Sequence, residues 1–192
     1  MKIGDKIPEL TLDSYHEKAF KKISLADYKG KWMVILFYPA DFTFVCPTEI
    51  EDAADNYAEF KKEDAEIFTV STDTNFAHKS WHDTSKAIGK VEFPMLADPT
   101  GKMCKAFGTY IDEDGHDDEG LSLRGTFIVN PDQEVIMMDV HDNSIGRNIQ
   151  EILRKLQAAK FVYDNDGAIV CPAGWVPGDK TLKPGIDLVG KI

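Results

Sequence analysis

Arginine is nearly absent from this 192-residue sequence: of 22 basic side chains, only Arg124, Arg147 and Arg154 carry a guanidinium. A task that needs a planar, always-charged cation therefore has few places to draw on. Positive charge as a whole is in deficit, with a net charge of −11. That balance argues against nucleic acid or an anionic membrane surface as the main partner. No stretch approaches the roughly 18 apolar residues of a membrane span. Residues 1–8 have neither the apolar core nor the small-residue cleavage site of a secretory leader, so a cytoplasmic protein is expected. Cysteine is scarce too. Cys46, Cys104 and Cys171 are an odd number at wide spacing, which points to reactive or inert thiols and away from a structural disulfide framework.

What is present suffices for a folded domain. The apolar fraction of 43% and 10% aromatics allow one domain with a substantial core and an appendage. Residues 33–38 form a nearly continuous apolar run, as expected of a strand covered on both faces. After Cys46, the residues Ile50, Ala53, Ala54, Tyr57 and Phe60 recur at helical spacing, with Glu51, Asp52, Asp55 and Glu59 opposite. Pro47 suits a first helical turn, and Glu49 and Glu51 suit its dipole. A second strand is expected over 67–71 and a short helix over 75–84, so the sheet is built by crossovers. Another short helix is expected over 101–107, and an acidic loop over 112–120. Residues 123–129 and 134–140 read as a hairpin closed by Asn130-Pro131-Asp132-Gln133. An amphipathic helix marked by Ile149, Ile152, Leu153, Leu156 and Ala159 ends near Val162. Residues 163–192 hold three prolines and five glycines without periodicity and read as an extended tail. The expected fold class is α/β, a central mixed sheet flanked by helices in thioredoxin-like order. Residues 1–162 would be the domain and 163–192 its C-terminal tail.

One run carries the chemistry. Pro39-Ala40-Asp41-Phe42-Thr43-Phe44-Val45-Cys46, followed by Pro47-Thr48-Glu49, sets a thiol after an apolar strand and at the start of a helix. The unpaired N–H groups and positive dipole end of a helix stabilise a thiolate there. The run resembles, residue for residue, the Pro-x-x-x-Thr-x-x-Cys signature of peroxiredoxins, and its flanks resemble the bacterial alkyl hydroperoxide reductase type. That resemblance implies that Cys46 attacks the peroxide O–O bond and becomes a sulfenic acid. It implies that Thr43 hydrogen-bonds the thiolate or a peroxide oxygen and that Pro39 shields the site. Arg124, in Leu123-Arg124-Gly125-Thr126, matches the family's guanidinium position. Glu49 and Arg147 resemble residues that form an ion-pair network with it, and Trp81 matches a tryptophan that packs near the active site. Thiolate supply alone makes no fast peroxidase. Lowering a thiol from pKa about 8.5 to about 6 raises its thiolate at pH 7 from about 3% to about 90%, a gain of roughly 30-fold. The remainder must come from donors aimed at the oxygens: Arg124, Thr43 and the Cys46 N–H.

The segment Ile169-Val170-Cys171-Pro172 resembles the resolving cysteine of the typical two-cysteine branch, in which the tail reaches the partner subunit. By resemblance the protein is a homodimer that assembles into a ring of five dimers, a decamer. It would hold no metal, flavin or haem of its own. Its reductant would be a flavoprotein disulfide reductase of the AhpF type, dependent on NADH, or a thioredoxin. The chain ends as the bacterial type does, without a Tyr-Phe helix, and 118–121 lack a full Gly-Gly-Leu-Gly motif. Fast disulfide formation and resistance to overoxidation are therefore expected.

Other signals weigh less. Cys104 is expected to be an inert packing residue. His78 and His82 stand i, i+4 on a helix without completing a metal set, so an exposed polar face is expected. The acidic loop fails the calcium register, because Gly115 falls fourth from Asp112 where an EF-hand needs its glycine sixth; a solvated loop is expected. Two rival functions share the fold. A thiol–disulfide exchange protein would want Cys-x-x-Cys, whereas Cys46 precedes Pro47-Thr48-Glu49. No residue excludes a holdase or redox-relay scaffold.

Overall fold

The computed structural model describes residues 1–191. The chain divides into two compact units, Met1–Ile149 and a second beginning at Gln150. The first is built on a seven-stranded sheet of order β2-β1-β5-β4-β3-β6-β7. Its central strand β3 (Trp32–Phe37) is buried at every position, as the continuous apolar run implies. It pairs in parallel with β4 (Ala65–Ser71) and antiparallel with β6 (Arg124–Val129), so the sheet is mixed. The parallel pair requires a crossover, supplied by α1 (Cys46–Asp55) and α2 (Tyr57–Lys62). A single helix was the expectation here. The chain breaks it at Asn56, whose side-chain amide donates to the Asp52 carbonyl at 2.8 Å and whose backbone leaves the helical region.

Helix α3 (Asn75–Thr84) starts as read, with the Thr74 hydroxyl accepting from the Ala77 N–H. Strand β5 (Met95–Ala97) and helix α4 (Lys102–Phe107) follow. The hairpin of β6 and β7 (Val135–His141) turns where Asn130-Pro131-Asp132-Gln133 places it. The N-terminal hairpin β1 (Thr11–His16) and β2 (Ala19–Ser24) turns on Glu17 and Lys18, both at positive φ. Beneath the sheet Phe37, Phe107 and Phe127 pack with ring centroids 4.9–5.6 Å apart, within a cluster that includes Met33, Phe68, Met103 and Cys104.

Register places the functional end. Leu36 lies opposite Thr126, so Arg124, two residues earlier on the antiparallel strand, reaches the level at which the chain leaves β3 toward Cys46. Gly125 keeps that strand end close to its neighbour: a Cβ there would sit 2.5 Å from Thr109 Cγ2.

Helix α5 runs over Ile149–Asp164, all but its first residue in the second unit, and the tail folds back on it. Trp175 is buried, its ring 5.1 Å from Phe161, and its carbonyl accepts from Arg154 Nη1 at 2.9 Å. Val170 and Leu182 form a β-bridge. Among the described residues no helix is long and apolar enough to cross a membrane.

Candidate active site

Cys46 is the first residue of α1, and its side chain is wholly buried. Val45, the cap residue, offers no side-chain acceptor; Pro47 has no N–H, and the Thr48 and Glu49 N–H groups turn to the Val45 carbonyl at 3.0 and 3.3 Å, so the Cys46 N–H is the first-turn donor left beside the sulphur. Pro47 fixes that first turn. Arg124 Nη1 donates toward Cys46 Sγ at 3.3 Å.

The guanidinium is itself held. Arg124 Nη1 also donates to Glu49 Oε2 at 2.8 Å, and its Nε donates to the Asn143 carbonyl at 2.9 Å. Arg147 meets the same carboxylate through Nε (2.9 Å), Nη2 (2.9 Å) and its backbone N–H (2.7 Å). Its Nη1 reaches the Gly125 carbonyl at 2.8 Å. Glu49 thus bridges both arginines at side-chain exposures of 2–3%. Burial alone would raise its carboxyl, but the hydrogen bonds and charge of Arg147 and the charge of Arg124 outweigh it and hold the group below its ordinary value. Arg124 Nη2 has no protein partner among the described residues, which leaves two oriented N–H donors.

The loop between β3 and α1 forms one side of a cavity of about 480 Å³, lined by Pro39, Thr43, Phe44, Val45, Leu121, Leu123 and Arg124 together with His116, Asp118, Asp142, Asn143 and Ser144. Thr43 donates its hydroxyl proton to the Ala40 carbonyl at 2.9 Å, so its oxygen remains as an acceptor. Phe42 holds a left-handed φ of 56° and packs at a tilt against buried Trp81, ring centroids 5.9 Å apart; Trp81 also lies 6.2 Å from Tyr38. A larger cleft of about 630 Å³ contains no cysteine; Glu66 there accepts from Tyr57 and Lys61.

Three readings of the sequence change. His78 does not belong to an exposed polar face: it is fully buried, because Asp41 Oδ2 meets its Nδ1 at 2.8 Å and the Leu96 carbonyl its Nε2 at 3.2 Å. Tyr38 donates to the other Asp41 oxygen at 2.7 Å, so the cysteine loop is anchored at its start as well as at Glu49. The acidic loop is exposed over most of its length but is not only solvated, since Asp118 lines the cavity and accepts from Asn143 Nδ2 at 2.7 Å. The tail is not merely extended, as its packing on α5 shows. Asn143 is the functional neighbour that pattern reading missed. It acts through a backbone carbonyl, which no residue type announces. Asp41 stood inside the quoted run, yet its partner lies 37 residues away.

The other thiols differ from Cys46 in setting. Burial, then the charge of Asp98, pushes Cys104 up to about 12, so it stays a packed thiol. Cys171 is half-buried, near the Ala158 carbonyl. Burial raises its thiol above the usual value, against the opposing charge of Arg154. No three His, Cys, Asp or Glu side chains converge as metal ligands among the described residues.

Residues 3–138 match the model of the AhpC/TSA family, and 163–187 match the C-terminal domain of 1-Cys peroxiredoxin, although that segment here carries Cys171. Alkyl hydroperoxide reductase C of Pseudomonas aeruginosa is 48% identical over 99% of this chain and 98% of its own. The Escherichia coli protein of the same name is 43% identical over the same shares. Among solved structures, Enterococcus faecalis AhpC superposes with a TM-score of 0.82 at 40% identity, covering 88% of this chain and 98% of that one. Reduced 2-Cys peroxiredoxin of Plasmodium vivax does so at 0.89 and 29% identity, covering 97% and 95%.

Proposed function

The chain belongs to the AhpC/TSA family and is a peroxiredoxin; from that premise we propose that it reduces hydrogen peroxide and small organic hydroperoxides at Cys46 and completes its cycle through Cys171. The Cys46 thiolate attacks the terminal oxygen of R–O–OH. The S–O bond forms as the O–O bond breaks, giving Cys46 sulfenic acid and an alkoxide or hydroxide that takes a proton to leave as alcohol or water. Charge develops on the leaving oxygen, and the unpartnered Nη2 donors of Arg124 are the groups to meet it. Thr43, with its own proton engaged by Ala40, accepts the peroxide O–H and so orients the terminal oxygen. Pro39 walls the cavity, while Glu49 and Arg147 hold Arg124 in place. The observation that carries the reading is one contact: a buried, twice-anchored guanidinium 3.3 Å from a buried cysteine sulphur.

A sulfenic acid needs a second thiol, which condenses with it to a disulfide and releases water. We assign that step to Cys171 of the partner subunit. It is supported by the half-exposed placement of Cys171 and by its segment's match to a peroxiredoxin C-terminal domain. Because Cys46 is wholly buried, the first turn of α1 must open for the two sulphurs to meet. The family uses a reductase to regenerate the thiols. For this chain we name a flavoprotein disulfide reductase or a thioredoxin, acting in the cytoplasm, where glutathione and thioredoxin keep thiols reduced. A homodimer assembling to a decamer is supported by Phe42 and Phe76, 58% and 68% exposed at the cysteine loop and on α3. The test is peroxide consumption with a dithiol reductant. It should be catalytic in the native chain and absent in Cys46→Ser, and a Cys46→Ser protein of undiminished rate would refute the assignment.

A further inference from the structure

The cavity beside the cysteine loop, walled by Val45 and Arg124, carries a sign. Phe44, Leu121 and Leu123 give it apolar surface, and Asp118 and Asp142 give it negative charge. Arg124 is already engaged by Glu49 and the sulphur. His116 Nδ1 accepts the Asp118 N–H at 3.0 Å. Asp142 accepts from both the N–H and the hydroxyl of Ser144, bonds that hold its carboxyl below the usual range and keep it ionised. A substrate that reaches Cys46 through this cavity passes two carboxylates as well as the Nη2 edge of Arg124.

We propose that Asp118 and Asp142 make the site select uncharged hydroperoxides and disfavour those that carry a carboxylate near the O–O bond. This inference rests on the peroxidase reading above. A matched set isolates charge from shape: cumene hydroperoxide, its para-carboxylate, and the methyl ester of that carboxylate. Both aspartates lie at the rim, so the penalty is screened and salt-dependent; at low ionic strength it should reach about tenfold.

The readout is the ratio of carboxylate to ester rates in single-turnover peroxide consumption. In the native protein it should be about 0.1 in low salt and rise toward one at about 1 M salt, where the screening length falls to about 3 Å. In Asp118→Asn/Asp142→Asn, whose amide oxygens can still accept from Asn143 and Ser144, it should approach one in low salt. A native ratio near one, or a low ratio that neither salt nor the double variant moves, would overturn the inference while the ester's turnover left the peroxidase intact. Failure of the native protein to consume either cumene hydroperoxide or the ester would sink both. The salt series needs no variant, so a misfolded double variant does not remove the test.

Discussion

Replacing Arg124 with lysine separates charge from geometry at the site. Arg124 donates through Nε to Asn143 and through Nη1 to Glu49 and Cys46, while Nη2 stays available. A lysine ammonium keeps one positive charge beside Glu49 but places all its donors on a single nitrogen. It cannot span Asn143, Glu49 and sulphur and still meet a peroxide oxygen. Loss of one preorganised donor costs about 10²–10³ in rate, or about 3–4 kcal/mol. Thiolate supply cannot account for a loss of that size, because the whole passage from about 3% to about 90% thiolate is worth roughly 30-fold. Two single-turnover assays at one pH decide the matter: consumption of hydrogen peroxide, and alkylation by iodoacetamide, which needs the thiolate but no oxygen donor. Arg124→Lys should slow the first by about 10²–10³ and the second by less than about tenfold. Equal losses in both would refute the claim that aimed donors, beyond thiolate supply, make the rate.

Other expectations follow from the same geometry. Glu49→Gln leaves two buried guanidiniums without their shared anion and should cost about 3–5 kcal/mol in denaturant unfolding. Because the Glu49 carboxyl sits below its ordinary value in the fold, its contribution is present above the usual glutamate range and is lost as pH falls through that range and below it. The variant's stability should therefore fall less than the native protein's on acidification; parallel curves would contradict the pairing. Cys104, pushed up to about 12, should resist iodoacetamide at pH 8 in the folded chain and react once it is unfolded; prompt modification of the native protein would contradict its packing. Modest peroxide doses should leave little Cys46 sulfinate by intact mass, and abundant sulfinate would refute fast disulfide formation.

Much of the functional end was legible in the sequence because its signals are local. A buried strand, a cysteine at a helix start and an Asn130-Pro131 turn each occupy a few consecutive residues. β1 escaped notice because only Ser14 and Tyr15 of its six residues are buried, so no alternation betrays it. β5 is three residues long and lacks room for a pattern. His78 was misplaced because helical spacing gives a face but not what covers it; Asp41, from a different loop, does so here. The pairing of Glu49 with Arg147 spans 98 residues, and only family resemblance brought them together before the fold did. Asn143 remained invisible for a different reason. The atom that holds Arg124 is a backbone oxygen, which every residue possesses.

The most direct test of the two-cysteine cycle is non-reducing electrophoresis with intact mass after one equivalent of hydrogen peroxide, applied to the native chain, Cys46→Ser and Cys171→Ser. The account predicts a disulfide-linked dimer in the native chain alone, with Cys171→Ser halted at the sulfenic or sulfinic stage. A native chain that stays monomeric, with an internal disulfide or with Cys46 merely oxidised, would contradict it.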